Sequence, residues 1–464
     1  MSSAARPAHP AGRHQGDELI PPVHPTGPGA NRVLVMSTID FTVMFAVWLM
    51  FGVLGIQIQK ELLISDVELA WISALAVLNG SLWRLPAGIL TDRIGGRKVT
   101  IFMLAATAIP AYLVSTASSY GWLLVLAFLV GFAGNLFSVG IAWNAAWFGR
   151  DRQGFSLGLF GAGNVGASVT KFIGPPLIAG TAGATFVFGI QGGWRLVPVI
   201  YAVLLALLAV LTWLIVPRHD RLAGQSKPIR EMLLPLKHVR VWRFSLYYVA
   251  VFGAYVGLSA WLPKYYVDNF DVDLYTAALL TAIFIFPASL LRPVGGWISD
   301  RIGARKVMYA TFALMLATTG ILMMPNGHIV VLHPDGSQSE HLAYQLDVVW
   351  FTILVFLLGC SMGVGKAAVY KHIPEYFPDN VGSVGGLVGT LGGLGGFVLP
   401  PLFAYTRLWT GLPSSTFLVL FILTAICAVW MHLTVVRMLH DQAPDLADHF
   451  DTEHISTLTA GAPR

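Results

Sequence analysis

Apolar residues in this chain run in long stretches, and the polar positions cluster between them. Twelve segments stand out: 34–56, 67–90, 98–116, 121–148, 154–179, 194–216, 243–266, 274–298, 305–325, 346–373, 383–405 and 414–437. Each is mostly apolar and long enough to cross a hydrocarbon core of about 30 Å. The pattern predicts an all-α membrane protein of twelve transmembrane helices. Residues 1–32 are rich in Pro, Gly, His and Ala and hold no apolar run, so they read as a flexible tail and not as a signal peptide. The expected organisation is a six-helix half over 33–216, a linker over 217–242, a second six-helix half over 243–440 and a tail over 441–464.

The two halves repeat. The second stretch ends RLPAGILTDRIGGRKV from Arg84, and the eighth ends RPVGGWISDRIGARKV from Arg292, each residue shifted by 208 positions. Duplicated halves that can rock about a site at their interface are what an alternating-access transporter needs. An enzyme has no need of that symmetry.

Composition sharpens this. Of 464 residues, 55% are hydrophobic and 11% charged, a balance that excludes an ordinary soluble domain. The net charge of +5 sits in short connections, where topology accounts for it, so nucleic acid is not an expected partner. Connections holding Arg93, Arg97 and Lys98, then Arg150 and Arg152, then Arg301, Arg305 and Lys306 are basic, whereas Lys60, Arg195, Lys264 and Arg407 stand singly on the other side. The basic side is expected to be cytoplasmic, with both termini there, in a multi-pass inner-membrane protein. The outer connection from Pro325 to Gln345 carries PNG and HPDG turn signals. Cys360 and Cys427 fall within spans and read as packing residues; no metal site and no cofactor are expected.

Three features carry candidate chemistry. Arg84 and Arg292 each stand eight residues before an Asp at the basic helix end, about 12 Å into the membrane. Without an evident buried carboxylate nearby, two permanently charged guanidinium groups in one layer imply an anionic ligand. GLFGAGNVGASVTKFIGPP, from Gly158 to Pro176, adds Asn164 to the same layer at about 15 Å depth. Its glycines and Lys171 allow either close packing around a polar cavity or an ordinary packing helix with a snorkelling lysine.

The doubled GxxxDRxGxRK pattern, Gly88 to Lys98 and Gly296 to Lys306, resembles the loop motif of the major facilitator superfamily. Asp92, Arg93, Asp300 and Arg301 would act there as a charge latch, with Asp92 and Asp300 pairing with nearby arginines or capping a neighbouring helix; positive-inside topology alone is the plainer reading. Within that superfamily the chain resembles the nitrate/nitrite porter family of the NarK type. The resemblance covers essentially all twelve spans and rests on the paired Arg84 and Arg292, on GAGNVG (Gly161 to Gly166) and on GGLVGTLGGLGGFVLPP (Gly385 to Pro401). It implies nitrate as substrate, nitrite as a further candidate, and Phe137, Phe252 and Tyr248 as rings around the anion, although each could equally be core packing. Asn164 would donate its amide to the anion, with Gly163 and Gly393 keeping the cavity small. Physics agrees with a flat, singly charged anion, since guanidinium forks bond its edge and rings cover its faces.

The sequence departs from the exchanger branch of that family. Lys171, and Lys366, Lys371 and His372 in GKAAVYKHIPEYFP, stand where uncharged polar residues are usual, a pattern closer to the nitrate/proton symporters. Lys366 is level with the arginines and Lys171 nearer the outer path, so the two are expected to relay protons; Lys371, His372 and Glu375, nearer the boundary, are expected to be solvated. The resulting expectation is a monomeric nitrate importer coupled to protons in a lipid bilayer. A nitrate/nitrite antiporter is the alternative. An enzyme or sensor on the same scaffold lacks any supporting motif.

Overall fold

The computed structural model describes residues 26–186, 189–222, 229–377 and 381–442, so most of each expected tail lies outside the described residues. Among the described residues twelve long helical rods follow one another. They are α1 (Ala30–Leu62), α2 (Asp66–Leu82 continued by Arg84–Ile94), α3 (Gly96–Val114), α4 (Tyr120–Trp147), α5 (Arg150–Ala162, a 3-10 turn, then Gly166–Gly180) and α6 (Gly193–Ile215). After the linker come α7 (Val239–Phe270), α8 (Leu274–Leu290 and Arg292–Ile302), α9 (Ala304–Leu322), α10 (Val348–Tyr376), α11 (Val381–Thr410) and α12 (Ser415–Gln442). Among the described residues eight rods are long and apolar enough alone to cross a membrane, and α8 is a ninth when its bent pieces are joined. The rods α2, α5 and α9 are less apolar, carrying the polar motifs.

Burial reveals the arrangement. The most apolar windows of α1 and of α7 are each 83% buried, whereas those of α6 and α12 are 39% and 22% buried. The first helix of each half is therefore central and the sixth peripheral. On α6 the exposed Val203, Leu207, Val210 and Leu214 form one stripe at helical spacing, while Ala202, Leu205, Ala209 and Thr212 face inward. That stripe suits a lipid solvent: it is apolar and has no reason to be covered.

Helix irregularities fall where the candidate chemistry is. Pro86 and Pro293 lack the N–H that would continue each helix past residues 82 and 289, and both rods break at the residue before the arginine, α8 by 42°. Gly163–Val165 is a 3-10 turn around Asn164, Gly131–Asn135 is another just ahead of Phe137, and Val249–Gly253 is a π turn that includes Phe252. Such turns redirect side chains that a regular helix would place elsewhere.

The repeated loop motif has a backbone reason. Gly95 and Gly303 sit at φ 92° and 89°, the region that a side chain disfavours, and each makes the turn into the next helix. The latch differs from expectation. Asp300 pairs with Lys371 at 2.5 Å rather than with an arginine, and at the start of α3 the Oδ2 of Asp220 in the linker accepts from Arg97 N at 2.7 Å. Arg301 lies over Trp297 at 3.9 Å, and Arg93 is exposed.

At the end away from the basic loops the halves are tied together. Asp66 of α2 accepts from Lys264 (3.1 Å) and faces Arg407 (3.5 Å); these two also hold Asp268, at 3.0 and 2.8 Å. The connection expected over 325–345 is not a plain loop: β1 (Gly327–Leu332) pairs antiparallel with β2 (Gln338–Tyr344). The β-branched run before HPDG, whose Gly336 takes φ 82°, explains it.

Candidate functional site

Arg84 is 1% exposed, and the break before it aims its side chain between the halves. Its Nε donates to Gly80 O (3.0 Å) in its own half and its Nη1 to Gly389 O (2.9 Å) in the other. The Nη2 atom has no hydrogen-bond partner, and neither has Nη1 of the half-buried Arg292. Among the described residues neither arginine forms an ion pair. Two cations with spare donors and no counter-charge are costly in a membrane interior, and the cost is offset when an anion arrives.

Both arginines approach the ring of Phe137. Its ring centre is 5.5 Å from Arg84 Cζ and 5.3 Å from Arg292 Cζ. Phe252 covers Arg84 from the other half at 5.2 Å and is stacked on Tyr248, with ring centres 4.9 Å apart. The Tyr248 hydroxyl is buried with no partner, as are both amide atoms of Asn164. Arg84, Arg292, Phe137, Phe252 and Tyr248 thus form one cluster, and Asn164 reaches its edge: its backbone O accepts from Tyr255 (3.2 Å), which lies three residues beyond Phe252.

The glycines divide. A Cβ on Gly393 would lie 2.6 Å from Ser81 Oγ and 3.1 Å from Arg84 Nη1, so Gly393 borders the cluster. Gly163 instead faces Phe41, at 2.7 Å, inside the first half. Gly161 is nearer the site, with its Cβ position 3.4 Å from Arg292 Nη1.

Lys366 is fully buried. Its Nζ donates to Ala288 O (2.9 Å) and sits 3.2 Å from the Tyr255 ring centre. Lys171 is equally buried, and its Nζ has no hydrogen-bond partner. The two lysines share no contact. Between them runs a polar line: Tyr255 under Lys366, Asn164 beside Tyr255, then Ser168 and Lys171 at positions four and seven after Asn164 on one helix face, all three buried and without side-chain partners. His372 is a correction to the sequence reading. It is 4% exposed, with Nδ1 against Ala368 O (2.7 Å) and its ring against Phe244 and Tyr376, whereas Lys371 and Glu375 are more open.

Sequence reasoning missed Tyr370, Tyr255 and Trp48. Tyr370 faces Arg292 at 5.4 Å, meets Tyr248 edge-on at 5.0 Å and donates to Gly385 O at 3.2 Å, and Trp48 lies 5.6 Å from Arg84 Cζ. Two of these had a signal: Tyr370 is four residues after Lys366, and Tyr255 completes a 248, 252, 255 stripe at helical spacing. Trp48 had none.

The major facilitator superfamily model matches residues 36–400 and 267–450. The chain is 64% identical to a "Probable nitrate/nitrite antiporter NarK1" of Thermus thermophilus, over 91% of this chain and 96% of that protein. It is 30% identical to a "Probable nitrate transporter NarT" of Staphylococcus haemolyticus (87% and 95% covered) and 28% identical to a "Nitrite extrusion protein" of Bacillus subtilis (86% and 94%). The fold is similar to that of a bacterial homologue of the human lysosomal transporter Spinster, with TM-score 0.64, 15% identity, and 88% and 97% of the two chains covered. It is likewise similar to the nucleoside transporter NupG, with TM-score 0.63, 14% identity, and 88% and 99% covered. Broken helices, doubled motif, paired arginines and these relatives agree: the chain belongs to the major facilitator superfamily and, within it, to the nitrate/nitrite porters of the NarK type.

Proposed function

We propose that the protein imports nitrate by alternating access, with Arg84 and Arg292 as the anion's ligands and a proton as the coupled ion. The observation that carries the anion site is the pair of guanidinium groups that share the Phe137 ring, each with a buried Nη that has no partner. A planar, singly charged oxyanion accepts from both forks while Phe137 and Phe252 lie against it. Tyr248 and Asn164 supply further donors. The same chemistry accommodates nitrite.

Rocking follows from where the halves meet. The ion cluster of Asp66, Lys264, Asp268 and Arg407 holds one end shut. In the outward-open form it separates, and the Arg84 to Gly389 hydrogen bond is the contact that bound anion replaces or reinforces.

Proton coupling rests on Lys366 and Lys171. Lysine, unlike arginine, can release its proton, and neither buried ammonium has a carboxylate partner. Nitrate entry adds a negative charge that favours the protonated form, so by linkage protons tighten nitrate binding. The line through Tyr255, Asn164 and Ser168 is the route between the two lysines.

A nitrate/nitrite exchange is the second reading, favoured by the Thermus relative's name. Uptake of labelled nitrate into liposomes separates the two. Symport gives uptake driven by an inward proton gradient with no nitrite inside; uptake that needs internal nitrite and ignores the gradient would establish exchange instead.

A further inference from the structure

The basic-loop ends of the two halves share the doubled motif but differ in one corner. In the first half the Asp220 carboxylate sits against the start of α3. Its Oδ1 accepts from the indoles of Trp143 (2.9 Å) and Trp147 (2.8 Å), and its Oδ2 from Arg97 N. Trp143, Trp147 and Phe148 at the end of α4 align with His372, Tyr376 and Phe377 at the end of α10, each shifted by 229 positions, and Arg97 aligns with Arg305.

In the second half this corner is cationic. Arg305 Nη2 donates to Tyr376 Oη (3.3 Å), and Arg240 Cζ lies 5.3 Å from the Tyr376 ring centre. Arg243 is 6% exposed and within electrostatic range of both. Its Nε has no hydrogen-bond partner, nor has the buried hydroxyl of nearby Tyr247. Among the described residues none of the three arginines forms an ion pair, and the one acid in range of His372, Glu375, is exposed. The cluster therefore has the donors and charge to hold what Asp220 supplies in the other half, an anionic oxygen group.

We infer that Arg240, Arg243 and Arg305, with Tyr247 and Tyr376, form a second anion site, separate from the central one, that takes a phosphate group. Three converging cations suit a group with several charged oxygens better than they suit nitrate. The position suits a head group: Val239 and Trp242 beside the cluster are 64% and 48% exposed, an apolar flank with an interfacial tryptophan along which acyl chains can lie. The phosphate can come from such a lipid or from solution.

The full chain in nanodiscs tests this. Phosphatidylglycerol retained per protein is counted by native mass spectrometry, and the thermal midpoint is followed in phosphatidylcholine discs with and without phosphatidylglycerol, and with inorganic phosphate added. Wild type should hold phosphatidylglycerol about tenfold more tightly than Arg305→Gln or Arg243→Gln, the loss expected for a charge-assisted hydrogen bond, with nitrate uptake retained. Arg240→Gln, an exposed position, gives the same reading if Arg243→Gln does not fold. Stabilisation by inorganic phosphate alone, lost in the same variants, identifies the solution source. Equal retention and equal midpoints in wild type and all three variants would overturn the site.

Discussion

Arg84 and Arg292, separated by 208 positions and carried by different halves, face the same ring, with their Cζ atoms 5.5 and 5.3 Å from the centre of Phe137. Like charges do not gather around one aromatic group in a membrane without a reason. The ring's negative face lies against both charges, and a cation–π contact of this kind is worth about 0.5–2 kcal/mol.

Replacing Phe137 by Leu keeps most of the volume and removes that contact. Nitrate uptake by Phe137→Leu should fall several-fold to tens of fold while the protein inserts and purifies normally. Uptake at the wild-type rate would reduce Phe137 to packing.

The glycines give a paired test. Gly393→Ala places a Cβ 2.6 Å from Ser81 Oγ and 3.1 Å from Arg84 Nη1, which must displace one of them; Gly161→Ala meets Arg292 Nη1 only at 3.4 Å, an ordinary contact. Initial rates should drop at least about tenfold for the first and under about threefold for the second, since overpacking costs about 1–3 kcal/mol. Equal rates would mean that the wall near Arg84 yields freely.

Tyr255 separates a relay from a mere cation support. Tyr255→Phe keeps the ring 3.2 Å from Lys366 Nζ but removes the hydroxyl that reaches Asn164 O. The dependence of uptake on the proton gradient should weaken as much as in Lys366→Asn or Lys171→Gln. A gradient response equal to wild type in all three variants would clear this line of the coupling role.

The ion cluster at the far end joins the two halves through Asp66. Ion pairs that keep some contact with solvent contribute about 0–1 kcal/mol each, so loss of Asp66, which alone among the four belongs to the first half, should shift the population several-fold toward the open form at that end. Ser73 and Ala260 line a small cavity together with Lys264, so solvent labelling of a cysteine placed at either reads this directly. An unchanged labelling rate in Asp66→Asn would show that apolar packing, not charge, holds that end closed.

Much of this was legible beforehand, and the reasons are physical. Long apolar runs and a doubled motif report the twelve helices and the two halves, because a bilayer demands length and apolarity of every span. Arg84 and Arg292 announced themselves by their charge at equal depth. The hairpin at 327–344 needs two signals together, the turn residues and the β-branched run beside them, and the turn residues alone indicate only a connection. Gly163 approaches Phe41 and not the arginines: spacing in a glycine string does not reveal which neighbour each glycine meets, and the 3-10 turn at 163–165 rotates the face. The depth of His372 alone points to solvent, whereas the rings of Phe244 and Tyr376, remote in sequence or on the next turn, enclose it.

The central claim is that both arginines hold the anion with their forks. Equilibrium binding of nitrate to the purified protein, by titration calorimetry, tests it for wild type, Arg84→Lys and Arg292→Lys. Lysine keeps the charge but loses the planar pair of donors, including the one that reaches Gly389 O from Arg84. Each variant should bind nitrate at least about tenfold more weakly than wild type, in line with one or more lost charge-assisted hydrogen bonds. Wild-type affinity in both lysine variants would contradict the account.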